Sequence, residues 1–306
     1  MHCHRRRRAD WPRLEHRLCP RRVRLFDCVP QALERCMAQL PQDLSDLHAH
    51  GLLDETPAQV LARVIPCASL EEALADATLV QENLRETLEA KRTIFRAMDR
   101  STAPQTVLAS STSWIKASDI TQGLAGRARM LVAHPVNPPH LVPLVELAPA
   151  PWTDAAVVQR ARRIYTRAGQ TPVLVRKEIR SFLLNRIQGM VLNEALNLYE
   201  QGHASAADLD LVLKDGLGLR WAFMGPFETI DLNAPEGLLD YARRYAPSLR
   251  ELAQQSRPND WDDAMLQRLN AERREALPAD GTPARARWRD RRLMALLAHR
   301  RTQSNT

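Results

Sequence analysis

The chain has 306 residues, 44% of them hydrophobic and 5% aromatic, which leaves room for two globular domains; no run of about eighteen apolar residues is present to form a membrane-spanning helix. The formal net charge of +7 resides in residues 1–24, where nine Arg face only Asp10 and Glu15, so the rest of the chain is neutral by count. With no aromatics interleaved along a basic groove, nucleic acid and an anionic membrane surface are excluded as expected partners. The five cysteines, Cys3, Cys19, Cys28, Cys36 and Cys67, are odd in number and irregular in spacing. That pattern speaks against a disulfide framework and for a reducing compartment, with the cytoplasm as the default.

Regular patterning begins at Val23, with a short strand over 23–27 that ends on Asp27. Helices are predicted over 33–40 and 58–64, and Ser69 with Glu72 forms a capping box opening a helix over 70–75. A strand over 78–82 precedes an amphipathic helix over 86–98, with Leu88, Ile94, Phe95 and Met98 on its apolar stripe beside Glu89, Lys91 and Arg92. The apolar runs 107–109 and 130–133 suit strands buried on both faces, and 141–147 and 173–175 read as further strands around a helix over 153–167 that ends at Gly169. Alternating strands and helices imply an α/β Rossmann-like N-terminal domain over 23–178. Beyond Lys177 every element favours helix, so 179–306 is expected to be an all-α C-terminal domain for substrate binding and dimerisation.

The residues with chemical potential cluster in the first of these regions. His134 ends one predicted strand and Glu146 lies on the next, across the Pro-rich turn 135–139. Two antiparallel strands so joined place an imidazole beside a carboxylate, which fixes the tautomer and supports the imidazolium, making His134 a general base. Ser113 lies in a hydroxyl-rich loop after an apolar strand, where open α/β sheets bind ligands. Together with Asn185, it can hold an oxygen that alternates between hydroxyl and carbonyl while His134 takes its proton. Each residue also has a bland reading, as a core histidine, a turn serine or a helix-surface asparagine, and spacing alone leaves both open.

The order of five segments is more specific. Leu108-Ala-Ser-Ser-Thr-Ser113, Val132-Ala-His-Pro-Val-Asn-Pro-Pro139, Pro143-Leu-Val-Glu146, Phe182-Leu-Leu-Asn-Arg186 and Gly216-Leu-Gly-Leu-Arg-Trp-Ala-Phe-Met-Gly-Pro-Phe-Glu-Thr229 together resemble the 3-hydroxyacyl-CoA dehydrogenase superfamily, most closely its λ-crystallin and L-gulonate 3-dehydrogenase branch. The resemblance implies NAD-dependent oxidation of a 3-hydroxy acid or 3-hydroxyacyl-CoA to the 3-keto product, with the acyl-CoA members pointing to fatty acid metabolism. It implies that Ser113, His134, Glu146 and Asn185 are catalytic, that Asp27 meets the adenosine ribose, that Glu86 and Lys91 lie on the cofactor side, and that the protein is a homodimer. Arg220 is a feature of the λ-crystallin-like branch, and a guanidinium there suits the free carboxylate of a hydroxy acid. No metal site is expected.

One segment departs from the family. A Rossmann domain opens with a strand and Gly-x-Gly-x-x-Gly, whose glycines let the backbone approach the pyrophosphate. Here the first glycine is Gly51, and residues 1–22 are an anomalous Arg-rich stretch. Back-translating Cys3 to Arg22 and reading one base later permits Gly-Ala-Gly-Leu-Ile-Gly-Arg-Ala-Trp-Ser-Ile-Val-Phe-Ala-Arg-Ala-Gly, with glycines where Arg6, Arg8 and Trp11 stand. The codons of Trp11 and Pro12 force one of these glycines. A frameshift ending just before Val23 accounts for the segment; a polypeptide that retains it has lost its phosphate loop, so a catalytically silent or crystallin-like structural relative stands as the alternative to an active dehydrogenase. A zinc site built from His2, Cys3, His4, His16 and Cys19 is the weaker alternative, because the spacing matches no standard module.

Overall fold

The computed structural model describes residues 22–303, so the sequence-level readings of residues 1–21, the phosphate loop and the zinc alternative included, lie outside the described residues. Strand β1 (Val23–Leu25) pairs in parallel with β2 (Val64–Pro66). A five-stranded sheet follows in the order β3-β4-β5-β6-β7, made of β3 (Leu79–Glu82), β4 (Val107–Ser110), β5 (Met130–Pro135), β6 (Leu144–Pro149) and β7 (Thr171–Leu174). All its neighbours are parallel except β5 and β6, which the short loop 136–143 joins as an antiparallel pair. Among the described residues no strand pairing joins the two sheets.

Helices α1 (Pro30–Ala49), α2 (Pro57–Leu61), α3 (Leu70–Leu74), α4 (Leu88–Ser101), α5 (Ala117–Thr121) and α6 (Ala155–Arg167) alternate with these strands. The helix expected to run through Val64 stops at Leu61, and Val64 opens β2 opposite Val23. A three-residue strand is too short to show a period, so helical propensity upstream masks it. The box at Ser69 closes only halfway: Ser69 accepts the Glu72 amide, but the Glu72 carboxylate takes the Ala68 amide rather than that of Ser69. The reciprocal box is instead found at Thr56 and Gln59.

Alternation along the strands divides the core. Odd-numbered Val107, Ala109, Leu131, Ala133, Val145 and Leu147 pack on Ala161 and Tyr165 of α6. On the other face, Leu108 and Met130 meet Phe95 and Met98 of α4, while Val132 and Ala148 meet Phe182. Each large apolar side chain so buried stabilises the sheet by about 1.5–3 kcal/mol. His134 and Glu146 continue this second, even-numbered face and are therefore buried beside Phe182.

The described residues form two compact units, one of residues 22–185 and 286–303 and the other of residues 186–285. Residues 286–303 thus pack with the Rossmann-like unit and not with the helical domain expected over 179–306. The reason lies on α13 (Thr282–Thr302): Met294 shares a buried cluster with Leu47 and Leu141, and Arg301 donates to the Gly51 carbonyl at 2.7 Å and pairs with Asp54 at 3.0 Å. The second unit is helical throughout. It comprises most of α7 (Leu184–Glu200), then α8 (Ala206–Leu211), a π-helical turn (Val212–Leu217), α9 (Gly218–Trp221), α10 (Pro226–Asp231), α11 (Leu238–Gln255) and α12 (Asp263–Ala276). Asn193 and Asn197 of α7 hold the loop before α12 by hydrogen bonds to Arg257 and Asn259.

Candidate active site

Antiparallel pairing sets His134 of β5 directly opposite Glu146 of β6, and His134 Nδ1 lies 2.9 Å from Glu146 Oε2. The carboxylate can only accept from the ring, so Nδ1 carries the hydrogen and Nε2 is left as the basic nitrogen. The other carboxylate oxygen is also engaged. Glu146 Oε1 accepts the backbone amides of Leu183 at 2.7 Å and Leu184 at 3.0 Å, where α7 begins. Burial pushes the Glu146 carboxyl up, but the bonds from His134, Leu184 and Leu183 together outweigh it and bring the group below its ordinary value of 4.5.

The chain adopts an uncommon backbone to aim those two amides. Ser181 and Phe182 both take left-handed conformations, at φ 67° and 52°, which for residues bearing a Cβ cost of order 1–2 kcal/mol each. Complete burial of the Phe182 side chain, whose ring lies 5.5 Å from that of His134, offsets this. Phe182 is thus part of the site, though its sequence context reads only as an apolar residue before a helix.

Ser113 follows β4, and Asn185 lies in the first turn of α7. The two are brought together: Asn185 Nδ2 donates to the Ser113 carbonyl at 2.9 Å. This bond leaves the Asn185 side-chain oxygen and the Ser113 hydroxyl outside the contact that joins them. Thr112 hydrogen-bonds to Glu86, whose second oxygen lies 3.4 Å from the Ser113 amide, so the loop before the dyad is tied to the cofactor side named above.

Glu86 precedes α4, and Lys91 does not lie on a solvated face: its side chain is 1% exposed. Its ammonium bonds both oxygens of Glu82, at 3.1 and 3.2 Å, and the Leu84 carbonyl at 3.3 Å, with Glu86 at 3.9 Å. Lys91 follows Leu88 by three residues and precedes Phe95 by four, so it occupies the buried stripe, and that spacing was available in the sequence. Glu82, which also accepts from the Ser110 hydroxyl at 2.6 Å, had no such mark at the end of its strand.

Asp27 follows β1, its Oδ1 accepting the Val29 amide at 2.8 Å, an acid at the strand end where a ribose is held in dinucleotide-binding sheets. Of the three residues expected on the cofactor side, Lys91 is committed to Glu82 and Glu86 is engaged by Thr112 and the Ser113 amide, which leaves Asp27 with a second carboxylate oxygen beyond its bond to Val29. Arg220 stands in the second unit on α9, after the π-helical turn, with its side chain exposed. Among the described residues no group of three metal-ligating side chains is assembled, and no helix is long and apolar enough to cross a membrane.

Comparison with known proteins shows the family. The sequence profile of the 3-hydroxyacyl-CoA dehydrogenase NAD binding domain matches residues 20–179, and that of the C-terminal domain of the same family matches residues 182–276. The chain belongs to the 3-hydroxyacyl-CoA dehydrogenase family. Within the family it is 38% identical to lambda-crystallin of Oryctolagus cuniculus over 90% of this chain and 88% of that protein. It is 37% identical to L-carnitine dehydrogenase of Streptomyces coelicolor over 74% of this chain and 71% of that protein. Among solved structures, an NAD+-dependent 5-formyl-3-hydroxy-2-methylpyridine 4-carboxylic acid 5-dehydrogenase superposes with TM-score 0.83 at 26% identity over 96% of both chains. The 3-hydroxybutyryl-CoA dehydrogenase of Escherichia coli gives 0.62 at 30% identity over 73% of this chain and 46% of that one. As a family member the chain carries an NAD-binding, Rossmann-like domain followed by a helical one.

Replacing Glu146 by Gln tests the dyad. The amides of Leu183 and Leu184 would hold the new carboxamide oxygen, so its NH2 would face His134 Nδ1 and drive the hydrogen to Nε2, the nitrogen that must stay basic. Turnover is expected to fall by about three orders of magnitude. Because the Glu146 carboxyl is lowered by folding, its charge contributes stability above the unfolded value that disappears as pH falls through the folded one. Urea unfolding should find Glu146→Gln about 1–3 kcal/mol less stable at pH 7, with a smaller gap near pH 3; a constant gap would exclude a native-state anion.

Proposed function

We propose that the protein is built for NAD-dependent oxidation of a 3-hydroxy acid or 3-hydroxyacyl thioester to the 3-keto product, with His134 and Glu146 as the base. The single observation that carries this reading is the buried pair itself, its carboxylate held on one side by His134 and on the other by two amides. NAD supplies the hydride acceptor. His134 Nε2 takes the proton of the substrate hydroxyl, Glu146 supports the resulting imidazolium, and Ser113 and Asn185 orient the oxygen as it becomes a carbonyl. Asp27 would hold the adenosine ribose with Glu86 on the cofactor side, and Asp27 would repel a 2′-phosphate, which favours NAD over NADP.

The substrate is assigned a free carboxylate in preference to a CoA ester. The relative that superposes over 96% of the chain is named for a carboxylic acid, and Arg220 offers the planar donors that a carboxylate accepts. Arg220→Ala should raise the Michaelis constant for a hydroxy acid about 100-fold or more while altering that for a thioester little; an unchanged constant for the acid removes the assignment.

The second unit leaves Leu219, Phe223, Phe227, Leu232 and Leu239 largely exposed. A second copy of the chain is the proposed occupant, in line with the homodimer implied by the family resemblance. Sedimentation at micromolar concentration should give twice the chain mass of 34.7 kDa, and a single species at the chain mass would refute it.

A silent or structural relative is the second reading, favoured by the absence of any glycine before Gly51. NADH titration followed by fluorescence separates the two, using the chain as written beside one whose residues 6–22 carry the shifted-frame segment. Binding by the restored chain alone marks a dehydrogenase with a damaged phosphate loop. Equal binding by both would refute the frameshift account, and binding by neither would refute the dehydrogenase reading.

A further inference from the structure

The strand end that carries His134 is pinned from the opposite face of the sheet by one side-chain amide. Pairing of β4 with β5 ends at Ser110 opposite Val132, one residue short of Ala133. Gln81 of β3 spans this gap, its Nε2 donating to the Ala133 carbonyl at 3.0 Å and lying 2.5 Å from the Ser111 hydroxyl. Ser111 in turn donates to the Asn83 side-chain oxygen, and the Asn83 amide returns to the Gln81 carbonyl at 3.2 Å. On the other side the Tyr165 hydroxyl of α6 bonds Gln81 Oε1.

Chemistry gives this network a single polarity. A backbone carbonyl and the Asn83 oxygen only accept, so the NH2 of Gln81 must face Ala133 and the Ser111 hydroxyl must point to Asn83. Gln81 Oε1 then needs a donor, which only the Tyr165 O–H supplies; burial pushes the Tyr165 phenol far upward, so it stays protonated. One amide thereby fixes the peptide immediately before His134, the loop that leads to Ser113 and the strand end that leads to Glu86. A leucine or valine would fill the same space on this otherwise apolar face, built of Val107, Ala109, Leu131 and Ala133. The half-buried amide, bonded through both its nitrogen and its oxygen, therefore has a use that packing alone does not provide.

We infer that Gln81, oriented by Tyr165, is a positioning residue that sets the geometry of His134 against Glu146, an inference that rests on reading this pair as the base. The test needs neither cofactor nor turnover. In protein labelled with 15N-histidine, the hydrogen-bonded Nδ1 proton of His134 is identified by its loss in Glu146→Gln, and its exchange with solvent is measured. In Gln81→Met exchange should accelerate about tenfold, and in Tyr165→Phe by a smaller factor. Leu40→Ala, a change in the separate cluster around α1, β1 and β2, lowers stability without touching β5 and should leave the rate unchanged once global unfolding is subtracted.

Exchange within twofold of the unmodified protein in folded Gln81→Met would overturn the inference. Should Gln81→Met not fold, the same result in Tyr165→Phe would do so. If no Glu146-dependent proton exists in the unmodified protein, the dyad reading fails and the inference falls with it.

Discussion

The structure of the site depends on one strand pairing. Because β5 and β6 run antiparallel, His134 and Glu146 meet as direct cross-strand neighbours, and a displacement of one residue would turn one of them to the opposite face. The rest of the first unit reinforces that register. Odd-numbered residues of both strands are buried against α6 and even-numbered ones against Phe182 and α5, so slipping one strand by one residue would move its side chains to the face packed for the other set. The dyad is held by the same hydrophobic alternation that forms the sheet.

Fixing the register does not fix the charge. A carboxylate buried beside one imidazole would be costly to keep ionised, since burial favours its neutral form. The amides of Leu183 and Leu184 reverse that preference, and they reach Glu146 because Ser181 and Phe182 accept left-handed backbones. Local strain thus sits at the position where it makes an anion stable, and the polarity of the pair follows: Glu146 accepts, His134 Nδ1 donates, and Nε2 carries the lone pair.

A second buried ionic group, Lys91 with Glu82, lies on the same side as Glu86 and the Thr112–Ser113 loop. A buried pair of this kind contributes little net stability against an apolar replacement. Its value lies in holding several strand ends in one arrangement, as Gln81 does on the opposite face. The loops that follow β3 and β4 are both tied to neighbouring elements by side-chain hydrogen bonds.

The sequence by itself determined the alternating α/β pattern, the helical character of residues 186–285 and the pairing of His134 with Glu146, because all three rest on short-range periodicity and on a tight turn. It also held the missing glycine loop, which is a property of composition. It did not reveal the three-residue strand β2, the return of residues 286–303 to the first unit, or the roles of Glu82, Gln81 and Phe182. Those depend on contacts between residues far apart in the chain, such as Met294 with Leu47 and Tyr165 with Gln81, and no local pattern encodes which distant partner a side chain meets. Lys91 falls between the two: its place on the buried stripe was legible, but the carboxylate that makes its burial possible was supplied only by the fold.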